Sequence, residues 1–443
     1  PKPTSTDPPT RFLSAVFWNA ALMALGWPLG VLTAVLVARW LGPAGKGEYA
    51  LAMLVGNLLL TLFCFGIPSS ISYYLSSGRV PAGSMARTVI VAATLLWILC
   101  LALSVLLDRT GWCSFLFGVP RFSAAMWMAV FGLWFMFLGT FLQVVILALG
   151  RHVLYAALPA FGTLVVAVLS VLLIWLGVLT PALAVGVSMT SHLLNAAVML
   201  VYTQIALDWW RASLLAPNLW KSLASYSLFH HAASIFQFLI QRVDVFMVSV
   251  MLDIRAVGLY SVAYGIAELL LLLPQRLGGL YHQRVAADRT PEGKADEVRV
   301  SSSLVFVGTA LGAVALALAA PFGIRLLYGP AFAPAVTPFL LLLPGVCALA
   351  TSCIQNAYLS GIGRPVTGAV VAAAGLAANV VLNLILIPRL GISGAAVASS
   401  LTYGAQALLL IATVARLTHA RPLTMLTSAP PSLVAGILRR ALQ

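Results

Sequence analysis

The chain is built from long apolar runs separated by short polar stretches. Twelve such runs can be drawn, at about 11–39, 49–76, 86–107, 123–149, 153–178, 181–207, 222–251, 255–281, 301–327, 332–361, 365–388 and 391–416. About 20 apolar residues in a helix cross a hydrocarbon core of roughly 30 Å, so each run predicts a transmembrane segment. A single lipid-exposed segment of this length can pair all of its backbone polar groups only as a helix. The first run, Phe12 to Ala38, is long enough to be expected to stay in place as a span rather than to be cleaved as a signal.

The runs repeat. VARWLGPAGKGEYALAMLVGNLLLTL at 37–62 aligns without gaps on VSVMLDIRAVGLYSVAYGIAELLLLL at 248–273, an offset of 211, with nine of 26 positions identical. Gly150-Arg151 and Gly363-Arg364 follow at an offset of 213, each preceded by a glutamine, Gln143 and Gln355, and WLGVLTPALAVG resembles PRLGISGAAVAS. Six helices per copy is an even number, so both copies enter the membrane from the same side and are related by an axis along its normal. The expected fold is an all-α polytopic membrane protein of about 12 transmembrane helices in two six-helix lobes related by a parallel internal repeat. The expected boundaries are 1–207 for the first lobe, 208–221 for a cytoplasmic linker, 222–416 for the second lobe and 417–443 for a cytoplasmic tail. The polar insert 282–299, much longer than its first-lobe counterpart near 76–84, is expected to be a solvated helix or loop.

Composition agrees with this reading: 61% of residues are hydrophobic and 8% charged, against about 25% charged in soluble domains. With the N-terminus in the cytoplasm, 17 of the 25 Lys and Arg residues fall in inside segments and seven outside, leaving Arg242 within a span. That bias places both termini inside. The net charge of +14 sits mostly in loops flanking spans, where it serves topology and attraction to anionic lipid rather than nucleic acid. Cys64, Cys100, Cys113, Cys347 and Cys353 show no metal-ligand spacing and read as packing residues.

An ionised side chain at the bilayer centre costs roughly 2.5–3.5 kcal/mol even on insertion scales, so polar residues inside spans are where function is sought. In the seventh span His230, Ser234, Gln237, Gln241 and Asp244 recur at intervals of 4, 3, 4 and 3 and share one helix face. Arg242 and His231 lie on an adjacent face, and two residues of separation keep Arg242 and Asp244 from facing each other. The eighth span adds Tyr260, Tyr264, Glu268 and Gln275. Through the 211 offset, His230, Gln237, Gln241, Arg242, Asp244 and Glu268 correspond to Asn19, Gly26, Gly30, Val31, Thr33 and Asn57, so charge is concentrated in the second lobe. Each uncharged polar residue also has a plain packing reading, an interhelical hydrogen bond of about 0.6 kcal/mol. Pro28, flanked by Gly26 and Gly30, marks either a hinge or a close helix contact.

Catalytic motifs are missing. GPAGKG around Lys46 lacks the glycine spacing and the Ser/Thr of a phosphate-binding loop, no metalloprotease or nucleophile-elbow motif occurs, and only Asp244 and Glu268 of the 11 acids lie within spans. No catalytic residue, metal ligand or cofactor is expected.

Three stretches carry a family resemblance: LVARWLGPAGKGEYALA, RVDVFMVSVMLDIRAVGLYSVAYGIAELLLLLP, and AYLSGIGRPVTG followed by NLILIPRLGISGAAVASSLTY. They resemble the oligosaccharide flippases of the multidrug/oligosaccharidyl-lipid/polysaccharide (MOP) superfamily, and within it the Wzx-type O-antigen and exopolysaccharide translocases. The resemblance implies a carrier in the bacterial cytoplasmic (inner) membrane that moves undecaprenyl-pyrophosphate-linked oligosaccharides to the outer leaflet by alternating access, among membrane lipids and polysaccharide polymerase and chain-length proteins.

On that basis Arg242, His230, His231, Arg11 and Arg276 are candidates for the substrate phosphates, Arg242 first because its planar fork matches phosphate oxygens. Asn19, Asn57, Gln237, Gln241, Tyr260 and Tyr264 are candidates for the glycan. Asp244 and Glu268 are candidates for gating or for H⁺ or Na⁺ coupling, and the membrane potential, worth roughly 2.3 kcal/mol per charge per 100 mV, is the alternative energy source. Two other functions stay open: a MATE-like multidrug or metabolite cation antiporter, although the first span offers only Asn19 where such carriers often have an acid, and a non-transporting scaffold for glycan-synthesis enzymes.

Overall fold

The computed structural model describes the backbone of residues 9–215, 217–287 and 294–426, with side chains described throughout these except at 9–25, 152, 217–230, 286–287, 294–295 and 423–424. Fourteen α-helices occur among them: α1 (Pro9–Phe63), α2 (Ile67–Ser76), α3 (Ala82–Thr110), α4 (Trp112–Phe117), α5 (Ala124–Ala148), α6 (His152–Trp175), α7 (Pro181–Leu207), α8 (Pro217–Met251), α9 (Ile254–Glu268), α10 (Leu272–Ala287), α11 (Lys294–Tyr328), α12 (Val336–Gly361), α13 (Pro365–Leu390) and α14 (Ile392–Leu417).

Eleven helical stretches are long and apolar enough to cross a membrane among the described residues. One of them, 26–63, holds parts of the first two predicted runs. α1 is interrupted at Gly42, whose φ of 67° and ψ of 178° leave the helical region, a backbone state open to glycine and closed to most side chains. Pro43 follows and disfavours helical geometry at the residue before it, so the Gly42-Pro43 pair ends one span and starts the next. The chain is therefore a multi-pass membrane protein with the predicted all-helical architecture.

The chain divides into two compact units, Pro1–His231 and Ala232–Gln443. The division falls inside α8, which already begins at Pro217, so residues 217–221 of the expected linker are helical. The insert at 282–299 is largely an extension of two helices, with α10 reaching Ala287 and α11 starting at Lys294. Arg284 Nη2 and Glu297 Oε1, 2.9 Å apart, tie those two helix ends together. The tail beyond residue 426 lies outside the described residues.

Each unit has a central helix. In the first, α5 packs against α7, α3 and α1; in the second, α12 packs against α14, α10 and α11. α5 buries Leu133, Phe137, Leu138 and Phe141 completely, and α12 does the same with Phe339 and Leu342. Peripheral helices turn apolar side chains outward instead, as at Val168 and Trp175 on α6 and Val370 and Val381 on α13, which in a membrane meet lipid rather than water.

A glycine lets the central helix and its main partner approach closely in both units. A Cβ at Gly132 would fall 2.1 Å from Met189 Sδ, and one at Gly345 would fall 2.4 Å from Ser400 Cα. Both close approaches lie between a unit's central helix and its main partner, and small residues at helix crossings are how membrane helices gain packing contacts.

Several hydroxyls in the spans are satisfied on their own helices. Thr33 donates to Leu29 O at 2.7 Å, Ser104 to Cys100 O at 2.8 Å and Ser302 to Val298 O at 2.6 Å, so they carry no unpaired donor into the bilayer.

Candidate functional site

The charged residues predicted for the seventh and eighth spans come together in the second unit, in two distinct settings. Arg242 on α8 donates from Nη2 to Glu268 Oε1 on α9 at 2.6 Å, with the side chains 28% and 30% exposed. The guanidinium also lies 4.7 Å from the centre of the Tyr264 ring. An arginine flanked by a carboxylate and an aromatic face is held in orientation while part of its fork stays accessible. Gln237 and Gln241, on α8 as well, are partly exposed. The Tyr264 hydroxyl is buried and without a hydrogen-bond partner.

Asp244 is different. It is fully buried and has no ion-pair partner among the described residues. Its Oδ2 accepts from the Tyr260 hydroxyl at 2.5 Å and from Ser399 Oγ at 2.8 Å, and its Oδ1 accepts from the Val245 backbone N–H at 2.8 Å. The network continues on α13 and α14. Asn379 Nδ2 donates to Ser399 Oγ at 3.3 Å and to Thr402 Oγ1 at 2.9 Å, and Asn383 Nδ2 donates to Asn379 Oδ1 at 2.7 Å. Three further polar atoms in these helices, Asn383 Oδ1 and both side-chain heteroatoms of Gln406, are buried with no partner in the described structure. A buried carboxylate bonded by two hydroxyls and one backbone N–H, with unpaired amide oxygens at Asn383 and Gln406 in the same helices, suits a proton or a small hard cation.

The predicted polar stripe of α8 is thus not one surface. Gln237 and Gln241 are accessible whereas Asp244 points into the packed interior. Tyr260, expected as a glycan contact, is fully buried and committed to Asp244, because the eighth span turns this face toward α8.

His231, expected as a phosphate contact, is buried in the first unit. Its Nε2 lies 3.0 Å from Leu62 O, its Nδ1 3.8 Å from Cys64 Sγ, and its ring 5.7 Å from that of Phe65. Both nitrogens are occupied by packing partners. Asn57 is half-buried and donates to Met53 O of its own helix at 2.8 Å. Arg276 is exposed on α10. The side chains of Arg11, Asn19 and His230 lie outside the described residues. α1 passes through Gly26, Pro28 and Gly30 with helical assignment, its non-helical residue being Gly42 instead.

Ser399, Asn379, Asn383 and Thr402 did not enter the sequence-based set. Their signal was present, since Asn379/Asn383 and Ser399/Thr402 recur at helical spacings inside apolar runs, but such pairs become a site only when a third helix brings a carboxylate to them. Among the described residues no group of three His, Cys, Asp or Glu residues could hold a metal ion.

The fold is shared with solved transporters. It matches "Lipid II flippase MurJ, inward closed conformation" with a TM-score of 0.71 at 16% identity over 89% of this chain and 87% of that one. It matches an inward-facing multidrug resistance MATE family transporter with a TM-score of 0.63 at 15% identity over 93% and 100%. A MOP superfamily transporter from Pyrococcus furiosus gives 0.63 at 12% identity over 91% and 95%. No curated protein matches the chain in sequence. The fold is therefore one that these solved membrane transporters share. The family model described as "Polysaccharide biosynthesis protein" matches residues 12–274, more than half of the chain, and the chain belongs to that family.

Proposed function

We propose that this protein is a flippase that carries polyprenyl-pyrophosphate-linked oligosaccharides, the undecaprenyl form in bacteria, from the cytoplasmic to the outer leaflet of the inner membrane by alternating access. It has no catalytic chemistry of its own, both termini are cytoplasmic, and it supplies surface-polysaccharide assembly, O-antigen included. The observation that carries the reading is the accessible guanidinium of Arg242, held by Glu268 and Tyr264 within the membrane-spanning helices of a polysaccharide-biosynthesis family member.

A pyrophosphate competes with Glu268 for that guanidinium, accepting two parallel N–H bonds where the carboxylate now takes one. Gln237 and Gln241, on the same helix, offer amide donors and acceptors to sugar hydroxyls. Arg276 is exposed near the end of its helix and collects the anionic head earlier or later in the passage.

For energy coupling the two acids separate. Glu268 has its charge offset by Arg242, whereas Asp244 is buried without a cation and accepts three hydrogen bonds. Asp244 is therefore the site for H⁺ or Na⁺, with Ser399 and Asn379 completing its surroundings; a bound cation removes the cost of the buried charge.

The test is flipping of a short undecaprenyl-pyrophosphate oligosaccharide in proteoliposomes. Translocation by the wild type, lost in a folded Arg242→Ala variant, supports the proposal. Absence of translocation across several glycans, with cation-dependent drug efflux instead, overturns it in favour of a multidrug antiporter. Polymer production that survives Arg242→Ala in cells points to a scaffold. For coupling, Asp244→Asn is expected to abolish any dependence of flux on Na⁺ or on the pH gradient; an unchanged dependence removes Asp244 from that role.

A further inference from the structure

A cavity lined by both polar and apolar residues lies wholly within the first unit. It encloses about 250 Å³ between α1, α6 and α7, the space of roughly eight water molecules at about 30 Å³ each, enough for one sugar ring and too little for a chain of them. Lys46 and His192 supply the cation and the imidazole, Tyr49, Ser170, Ser188 and Ser191 add hydroxyls, and apolar residues such as Val37, Val166 and Ala184 complete the wall. Among the described residues no carboxylate lines it; Glu48, two positions from Lys46 on the same helix, is not part of the wall.

The groups are poised for a ligand rather than for each other. Lys46 has no ion-pair or hydrogen-bond partner among the described residues, and its ammonium sits 4.7 Å from the centre of the Tyr49 ring. Tyr49 and Ser188 hydroxyls hydrogen-bond at 3.2 Å, whereas Ser170, Ser191 and His192 have no hydrogen-bond partner among the described residues. A lysine facing a cavity with no countercharge leaves an anion to be supplied from outside.

The internal repeat gives a second, independent line. At the offset of 211 that aligns the earlier repeat, Tyr49 corresponds to Tyr260 and Thr33 to Asp244, and each tyrosine meets a serine environment on a later helix: Ser188 on α7 bonds the Tyr49 hydroxyl, and Ser399 on α14 shares the Asp244 carboxylate with Tyr260. The cavity is therefore the counterpart of the buried Asp244 network. Two differences set their charge: the acid at 244 is a threonine at 33, and Val257 has Lys46 as its counterpart. The charge of the corresponding polar cluster is thus acidic in the second unit and basic in the first, through changes at two different positions.

We propose that the first-unit cavity is a carboxylate-binding sugar site that holds an acidic residue, of the uronate type, through Lys46 and His192, with the seryl and tyrosyl hydroxyls taking its ring hydroxyls. The proposal rests on the reading of the chain as a glycan carrier, since it makes the site a recognition point for acidic sugars of the cargo. The same chemistry fits a free monosaccharide carboxylate or a simple inorganic anion, and the probes below separate these.

The experiment is equilibrium binding of glucuronate, glucose, acetate and inorganic phosphate to the purified full chain in detergent, together with binding of a lipid-linked oligosaccharide with and without a uronate residue. Glucuronate is expected to bind while glucose does not, Lys46→Gln to weaken glucuronate about tenfold or more, and Lys46→Arg to restore most of it. A uronate-containing lipid-linked glycan that loses affinity with Lys46→Gln, while the neutral glycan does not, assigns the site to the cargo. Equal binding of glucose and glucuronate by the wild type overturns the proposal without any variant, and so does acetate or phosphate binding as tightly as glucuronate. Glucuronate binding unaffected by Lys46→Gln moves the anion elsewhere and also overturns it. Failure of wild-type flipping in proteoliposomes would remove the flippase reading while leaving the glucuronate result standing.

Discussion

Glu268→Gln gives the most direct check on how Arg242 is used. In the resting structure the guanidinium is bound to Glu268 at 2.6 Å, with the two side chains 28% and 30% exposed. Exposed ion pairs are worth 0–1 kcal/mol and this one is partly screened by its surroundings, so about 0.5–1 kcal/mol must be given up before a pyrophosphate can take the guanidinium. Glutamine keeps the shape and a hydrogen-bond acceptor but not the charge. The variant should therefore bind a pyrophosphate-bearing lipid about 2–5-fold more tightly, since about 1.4 kcal/mol is tenfold. Arg242→Ala removes a charge-assisted contact worth about 1.5–3 kcal/mol and should weaken the same ligand about tenfold or more. Both are read by titrating a fluorescent short-chain polyprenyl pyrophosphate into purified protein, with a neutral polyprenol as control. If Glu268→Gln binds more weakly, the carboxylate is part of the binding geometry and not a competitor. If Arg242→Ala binds as the wild type does, the phosphate site is not at Arg242.

Other consequences concern stability and the buried network. Gly345→Ala would place a methyl 2.4 Å from Ser400 Cα, and because backbone cannot swing aside, overpacking of about 1–3 kcal/mol should outweigh the roughly 1 kcal/mol gained in helix propensity. A lower melting temperature in detergent is expected, whereas Gly308→Ala, where nothing lies within 4 Å, should be neutral or stabilising; equal melting of the two would contradict the close packing of α12 and α14. Tyr260→Phe removes the 2.5 Å donor to Asp244 and should cost about 1–2 kcal/mol while altering the cation response of transport, and a change in neither would show that the network has no role. His231→Leu leaves the Leu62 carbonyl unpaired and should lower stability by about 1–2 kcal/mol without changing affinity for the pyrophosphate lipid; a selective loss of that affinity would restore His231 as a ligand.

How far the sequence reached differs from element to element. The apolar runs and the spacing of Gly47/Gly258 and Tyr49/Tyr260 were enough for twelve segments and a duplication, because membrane length and helical hydrogen bonding leave a run of that kind a single solution. Even the Gly42-Pro43 break fell between two drawn segments. The polar stripe of α8 was legible as a stripe. Its division into an accessible part, Gln237 and Gln241, and a buried part, Asp244, was not.

Partnership between helices was decided only by the tertiary structure. Arg242 and Glu268 are 26 residues apart, and Asp244 and Ser399 are 155 apart; helical periodicity orders side chains around one axis but says nothing about which neighbouring axis they face. Lys46 shows the same limit, since along the chain it entered only as the lysine of a stretch that fails as a phosphate-binding loop, and in the fold it faces a cavity with His192. The sequence determined what each helix could present to its surroundings. Packing of α6 and α7 against α1, of α13 and α14 against α8, and of α14 against α9 determined which polar groups share a low-dielectric space, where a charge either finds a partner or waits for a ligand.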